Sequence, residues 1–115
     1  MTSEKNQLRE DAIDFAIQVS DLCDNITGCS VYVNQIIRSS SSIGANIHEA
    51  RYAQSKADFI SKLSIALKET TETKYWIRLL SATGYLSEQE YRSIFSDCVE
   101  LEKMLVASVK TSKND

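Results

Sequence analysis

The chain has no proline and three glycines in 115 residues, and this shortage of loop-forming residues limits its fold more than any other feature. Strand-rich folds need frequent turns, and turns are built largely from glycine and proline. A chain so poor in both is made of few, long elements. Its apolar residues show which kind. Leu8, Ala12, Phe15, Val19, Leu22 and Ile26 are spaced alternately four and three apart, the period of one helix face, whereas a half-buried strand alternates by two.

Three further segments repeat that spacing. The second reads Val33, Ile36, Ser40, Ile43, Ile47 and Ala50, with Ile37 and Gly44 widening the stripe. The third reads Phe59, Leu63, Ala66, Thr70, Thr73, Ile77 and Leu80, and the fourth Tyr91, Ile94, Cys98, Leu101 and Leu105. End signals place their limits. Ser3 is the N-cap expected for a first helix near residues 4–25, with Gly28 turning left-handed beyond its end. Ser55 with Asp58 resembles a capping box, so Ala53 and Gln54 read as a tight turn between helices, and Gly84 reads as the C-terminal cap of a third helix running to about Thr83. Ser87 as N-cap, Glu90 reaching back, and Leu86 stapled to Tyr91 open the fourth helix, whose tail from Lys110 to Asp115 is expected to fray. The second helix has a weak middle: Ser39 to Ser42, then Gly44 and Ala45. Small side chains suit a place where another backbone comes close; the alternative is a kink at Gly44. The expected fold is all-α, one domain over residues 1–115, an antiparallel up-down-up-down four-helix bundle.

Composition narrows the function. Apolar residues make up 43% and charged residues 25%, enough to build a core without a disulfide or metal staple. Cys23, Cys29 and Cys98 are odd in number with no C-x-x-C pair, which fits reduced thiols. The polar first ten residues lack a signal-peptide core and no stretch is apolar enough to span a bilayer, so the expected location is cytoplasmic and no membrane partner is expected. The net charge is −3. It is uneven: residues 1–30 carry two bases and six acids, residues 55–86 five bases and three acids. The middle of the chain is mildly basic and the ends are acidic.

Catalytic constellations are missing. A di-iron bundle needs a Glu-x-x-His pair on each of two helices, and His48 is the single histidine. The three cysteines and His48 have zinc-ligand chemistry without zinc-site spacing. A nucleophilic cysteine needs a base, and Cys98 lies on an apolar stripe where thiols are inert. No phosphate loop, nucleophile elbow or metalloprotease motif occurs. The expectation is a non-enzyme with no cofactor, metal or small-molecule substrate.

Two surface features remain. Arg38, Ser42, Ala45, Asn46 and Glu49 share an arc of the second helix away from its apolar stripe. They read either as a solvated face or as a polar stripe meeting another helix, with Glu49 paired to Lys74 or Arg78. On the third helix Ile65, Trp76 and Leu79 lie about 100 to 140° from the stripe centre with Tyr75 beside them. They read either as a partner-facing patch, since Trp and Tyr are enriched at interface hot spots, or as part of a broad core.

The run Ser42-Ile43-Gly44-Ala45-Asn46-Ile47-His48-Glu49-Ala50, followed by Ser55-Lys56-Ala57-Asp58-Phe59-Ile60, Leu63-Ser64-Ile65-Ala66-Leu67, Glu72-Thr73-Lys74-Tyr75-Trp76 and Thr83-Gly84-Tyr85-Leu86, resembles the four-helix-bundle proteins encoded in intervening sequences of bacterial large-subunit ribosomal RNA. The resemblance spans nearly the whole chain. It implies an up-down bundle that assembles as a homopentamer, for which the patch of Ile65, Tyr75, Trp76 and Leu79 is the expected interface, and it places Asn46 and Glu49, of the polar stripe Arg38, Ser42, Asn46 and Glu49, in the family's signature turn of the second helix. A relative, the accessory protein of diversity-generating retroelements, is a basic pentamer that binds nucleic acid and a reverse transcriptase. This chain, with a pI of about 5.2, departs from it in charge. The expected function is an oligomeric scaffold or adaptor for a protein partner. The alternative is an RNA- or ribosome-associated protein that binds weakly through the basic middle helices, with Arg51 and Lys56 as contacts.

Overall fold

The computed structural model describes residues 4–114. Four helices make up the described chain: α1 (Glu4–Cys23), α2 (Ser30–Ala50), α3 (Lys56–Ala82) and α4 (Glu88–Asn114). Each packs on the next in sequence, and α1 closes the ring against α4, less extensively than the other pairs. The links, residues 24–29, 51–55 and 83–87, reach at most about 3.5 Å per residue, too short to carry the chain back along a helix. Cross-helix pairs fix one direction directly: Glu49 meets Lys62 while Arg38 meets Glu69 and Glu72, so α2 and α3 are antiparallel.

The stripes read from the sequence form the core. Phe15, Val19, Ile36, Ile43, Ile77, Leu80, Cys98 and Leu105 are all essentially without solvent exposure. Four hydroxyl residues, Ser39, Ser40, Thr70 and Thr73, are buried among them. A buried hydroxyl is costly unless bonded, and all four are. Ser40 donates to the Ile37 carbonyl and Thr70 to the Leu67 carbonyl. The Thr73 hydroxyl donates to the Glu69 carbonyl at 2.7 Å and shares a 2.8 Å hydrogen bond with Ser39, tying α3 to α2. Among the described residues no buried side-chain nitrogen or oxygen lacks a partner.

The helix ends follow their local chemistry, with two departures from expectation. Ser87 and Glu90 form the reciprocal capping box, Glu90 N to Ser87 Oγ at 3.1 Å and Ser87 N to Glu90 Oε1 at 2.8 Å. Ser55 caps the Asp58 amide, and the Asp58 carboxylate accepts from the Gln54 amide. Gly84, at φ +88, closes α3 with Tyr85 N on Leu80 O and Gly84 N on Ser81 O, the Schellman pattern. The first departure is α1, which stops at Cys23. Gly28, at φ +84, therefore serves the link before α2 rather than capping α1. The second is α4, which continues through Lys110 to Asn114, because Val109 still packs on the core and nothing breaks the helix. α2 runs unbroken through Gly44, as the close-approach reading of its small residues requires, with no kink there. The expected cap Ser3 and the last residue of the tail, Asp115, lie outside the described residues.

The reason for small residues in α2 is visible at Gly44. A Cβ built there would stand 3.6 Å from Ala12 Cβ and 3.9 Å from the Ala12 backbone, so α1 and α2 approach closely at this point. Those are ordinary contact distances. Gly44→Ala should therefore fit, and it removes a helix-interior glycine that costs about 1 kcal/mol relative to alanine. The variant is expected to melt at a higher temperature than the parent by circular dichroism; a lower melting temperature would mean that the helices need the bare backbone.

Candidate interaction surface

The antiparallel register of α2 and α3 brings Tyr32, in the first turn of α2, opposite Trp76 in the last third of α3, with ring centroids 6.2 Å apart. Tyr75 meets Trp76 edge-on at 5.0 Å. Trp76 is half-buried at the border of the core, and it is held there: its indole N–H donates to Glu72 Oε2 at 2.9 Å. Glu72 also accepts from Arg38, which bonds Gln35 Oε1 and lies 3.5 Å from Glu69. The indole is thus fixed by a charged chain running back to α2. Tyr75 is 58% exposed and Val31, next to Tyr32 in the first turn of α2, 68% exposed. With half-buried Leu79 they make an aromatic, apolar surface across the two helices.

The four interface candidates do not gather at one point. Tyr75, Trp76 and Leu79 do. Ile65, 39% exposed, stands ten residues earlier on α3, roughly 15 Å along the axis, outside the aromatic group. Trp76 packs against the core, as the broad-core reading expects, and stays half-exposed.

The polar stripe runs along the outer edge of the α2–α3 contact. Ser42 and Asn46 are half-buried, and Asn46 Nδ2 donates to the Ser42 carbonyl within α2. Glu49 pairs with Lys62 at 3.2 Å, not with Lys74 or Arg78. The antiparallel register is the reason: Glu49 is near the end of α2, across from the start of α3, whereas Lys74 is more than two turns further on and bonds Glu102 of α4 at 2.9 Å. The Glu49 side chain is 59% exposed, and exposed pairs contribute at most about 1 kcal/mol. Arg51 and Lys56 flank the α2–α3 link and are exposed.

Sequence reasoning passed over two surface residues on α1. Ile13 and Ile17, one turn apart, are each 53% exposed, on the side turned from the core. Their spacing off the apolar stripe was the available signal. The backbones of α1 and α3 are not neighbours, so the two helices occupy opposite corners of the bundle.

The three cysteines are free and buried. Cys98 donates to the Thr70 carbonyl at 3.5 Å. Burial pushes its thiol up to about 12; Glu102 and Asp97 add to the rise and Lys74 opposes it. Burial, with the Asp24 charge, raises Cys23 to about 11. This is the opposite of a reactive thiolate. His48 is exposed and stacks edge-on against Tyr52 at 5.6 Å. Among the described residues no three His, Cys, Asp or Glu side chains gather as metal ligands, and no helix is long and apolar enough to cross a membrane.

The raised thiol has a measurable consequence. Above about pH 9, where an unfolded thiol ionises, Cys98 keeps its proton up to about 12. The unfolded chain then holds fewer protons than the folded one, so stability falls as pH rises through that window, by up to about tenfold in the folding equilibrium per pH unit. Cys98→Ser removes this titration while keeping a donor for the Thr70 carbonyl. Urea midpoints at about pH 8 and about pH 10.5 are expected to drop less for the variant than for the parent; equal drops would refute the assignment.

An all-α bundle of four helices, closed in a ring, with an aromatic surface held by a charged chain, is the class of protein that this geometry defines. The chain belongs to the 23S rRNA-intervening sequence protein family, whose sequence profile matches residues 4–107. It is also similar to a crystal structure of a protein of unknown function from the S23 ribosomal protein family of Bacteroides thetaiotaomicron, with 42% identity over 94% of this chain and 99% of that one and a TM-score of 0.89. No curated protein matches the chain.

Proposed function

We propose that this protein is a non-catalytic, cytoplasmic homo-oligomer, a pentamer, that serves as a scaffold or adaptor for a protein partner. The observation that carries the reading is the exposed Tyr75 and Val31 surface around the anchored Trp76. Monomeric proteins seldom leave such groups at the surface without a partner. A second observation supports a ring. Cyclic assemblies above a dimer use head-to-tail interfaces, which need two different patches on each subunit. Tyr75 on α3 and the Ile13–Ile17 pair on α1, at opposite corners, supply two.

The alternative, RNA binding through the middle helices, has less support in the charge arrangement. Of the bases counted toward a phosphate footprint, Arg38, Lys62 and Lys74 each pair with a carboxylate. Light scattering tests the oligomer: the expected mass is near five times 12.9 kDa, and a monodisperse monomer at micromolar concentration would remove the proposal. Titrating a labelled ribosomal RNA fragment at low salt separates the two readings. No binding is expected; affinity that falls steeply with salt would favour RNA.

A further inference from the structure

The outward faces of α1 and α3, at opposite corners of the bundle, complement each other in charge. On α1, Glu10, Ile13, Ile17 and Asp21 are spaced three or four apart, so they share one face, and all are exposed. Asp14, also exposed, stands beside them. From residue 10 to residue 21 the sequence has four carboxylates and no base. Arg9, one turn before Ile13, bonds Asn6 and lines the same cleft as Ile47 and Arg51.

On α3, Lys68, Thr71, Tyr75 and Arg78 repeat that spacing and are likewise exposed. The three acids of this helix are engaged elsewhere: Glu69 and Glu72 pair with Arg38 of α2, and Asp58 accepts from the Gln54 amide. Two of its bases are engaged as well, Lys62 by Glu49 and Lys74 by Glu102. Lys68 and Arg78 remain on the outside, and neither pairs with a carboxylate among the described residues. The two patterns also agree in length. Glu10 and Asp21 lie about 16.5 Å apart along the helix axis, Lys68 and Arg78 about 15 Å. Each face therefore has charges at both ends and an apolar centre, the isoleucines on one and Tyr75 on the other.

We infer that the acidic face of α1 seats on the basic face of α3 in a second copy of this chain, with Glu10 and Asp21 against Lys68 and Arg78 and with Ile13, Ile17 and Tyr75 enclosed between them. The inference rests on the head-to-tail oligomer proposed above and adds what selects the partner and sets its register. Charges around an apolar contact act chiefly in this way, because a wrong pairing sets like charges together. The occupant is a second copy because the complementary face belongs to this same chain, and faces at opposite corners cannot meet within one subunit. An RNA strand would find only two cations here, too few for a phosphate track.

Light scattering of the full chain over a dilution series tests this. Three variants are needed: Lys68→Glu with Arg78→Glu, Glu10→Lys with Asp21→Lys, and all four changes together. Every altered side chain is exposed, so each variant should keep the parent's helical circular dichroism. The parent oligomer is expected to dissociate more readily as salt is raised. Each double variant should dissociate at a concentration at least tenfold higher than the parent does. The fourfold variant restores opposite charges with the signs exchanged, and it should regain the parent's mass and dissociate within about threefold of the parent's concentration. A monomeric parent would overturn the oligomer proposal and this inference with it. A parent oligomer whose mass persists in both double variants, or a fourfold variant that stays dissociated, would overturn this inference alone and leave the oligomer standing.

Discussion

Mixing Tyr75→Asp protein with Ile17→Asp protein should restore association that neither variant shows alone. Each substitution places a carboxylate on an exposed apolar position, so each should fold; Tyr75 and Ile17 are 58% and 53% exposed. In a head-to-tail ring the Tyr75 surface of one subunit faces the Ile13–Ile17 surface of the next. Either variant alone has one damaged face at every junction, and burying an unpaired carboxylate against apolar side chains costs several kcal/mol. Both should therefore run as monomers. In the mixture an intact Tyr75 face from the Ile17→Asp chain meets an intact isoleucine face from the Tyr75→Asp chain. One sound junction forms per pair and the ring cannot close, so light scattering should report a heterodimer of twice 12.9 kDa. An isologous interface gives no such rescue: if it uses one of these surfaces, the variant that spares it associates alone, and if it uses both, the mixed pair sets the two carboxylates against each other at one of its two contacts. Monomers in the mixture, or unchanged oligomers in either variant alone, would exclude these two surfaces as the ring contacts.

That experiment depends on features the sequence showed unequally. The stripe positions were legible because helix period and burial are the same fact seen twice: Leu8, Ala12, Phe15 and Val19 recur every three or four residues and lie inside. Caps were legible wherever a side chain and the backbone it satisfies are three residues apart, as for Ser55 and Ser87. Ser39 escaped because a serine counts as polar until its partner Thr73, on another helix, is known. Register is the missing information in each such case. It decides that Glu49 meets Lys62, that Tyr32 meets Trp76, and that Ile65 stands apart from both. Stripes on two helices do not set how far one slides along the other; the link lengths and close contacts such as Gly44 on Ala12 do.

Phe15→Ala should be the most destabilising single truncation in α1 and should also dissolve the proposed oligomer. Phe15 is 2% exposed and the largest side chain that α1 buries. Its stripe neighbours Ala12 and Val19 are both smaller and cannot fill the space it leaves. α1 is also the helix whose contact with α4 is the least extensive of the four pairs, so its docking rests heavily on this ring. Truncating a buried phenylalanine costs about 3 to 5 kcal/mol through lost transfer energy and the cavity left behind. Set against a total stability of about 5 to 15 kcal/mol for a domain of ordinary size, that leaves α1 the first element to detach. Ile13 and Ile17 are carried on its outer side, so the same change should weaken assembly without touching an interface residue. Urea unfolding at fixed protein concentration should show a large fall in midpoint, and light scattering of the folded fraction should show lower mass. Phe15→Leu, which keeps most of the buried volume, should recover most of both. A midpoint within error of the parent for Phe15→Ala would mean that α1 is not held by this stripe, and loss of stability with the oligomer intact would separate the α1 surface from the ring contact.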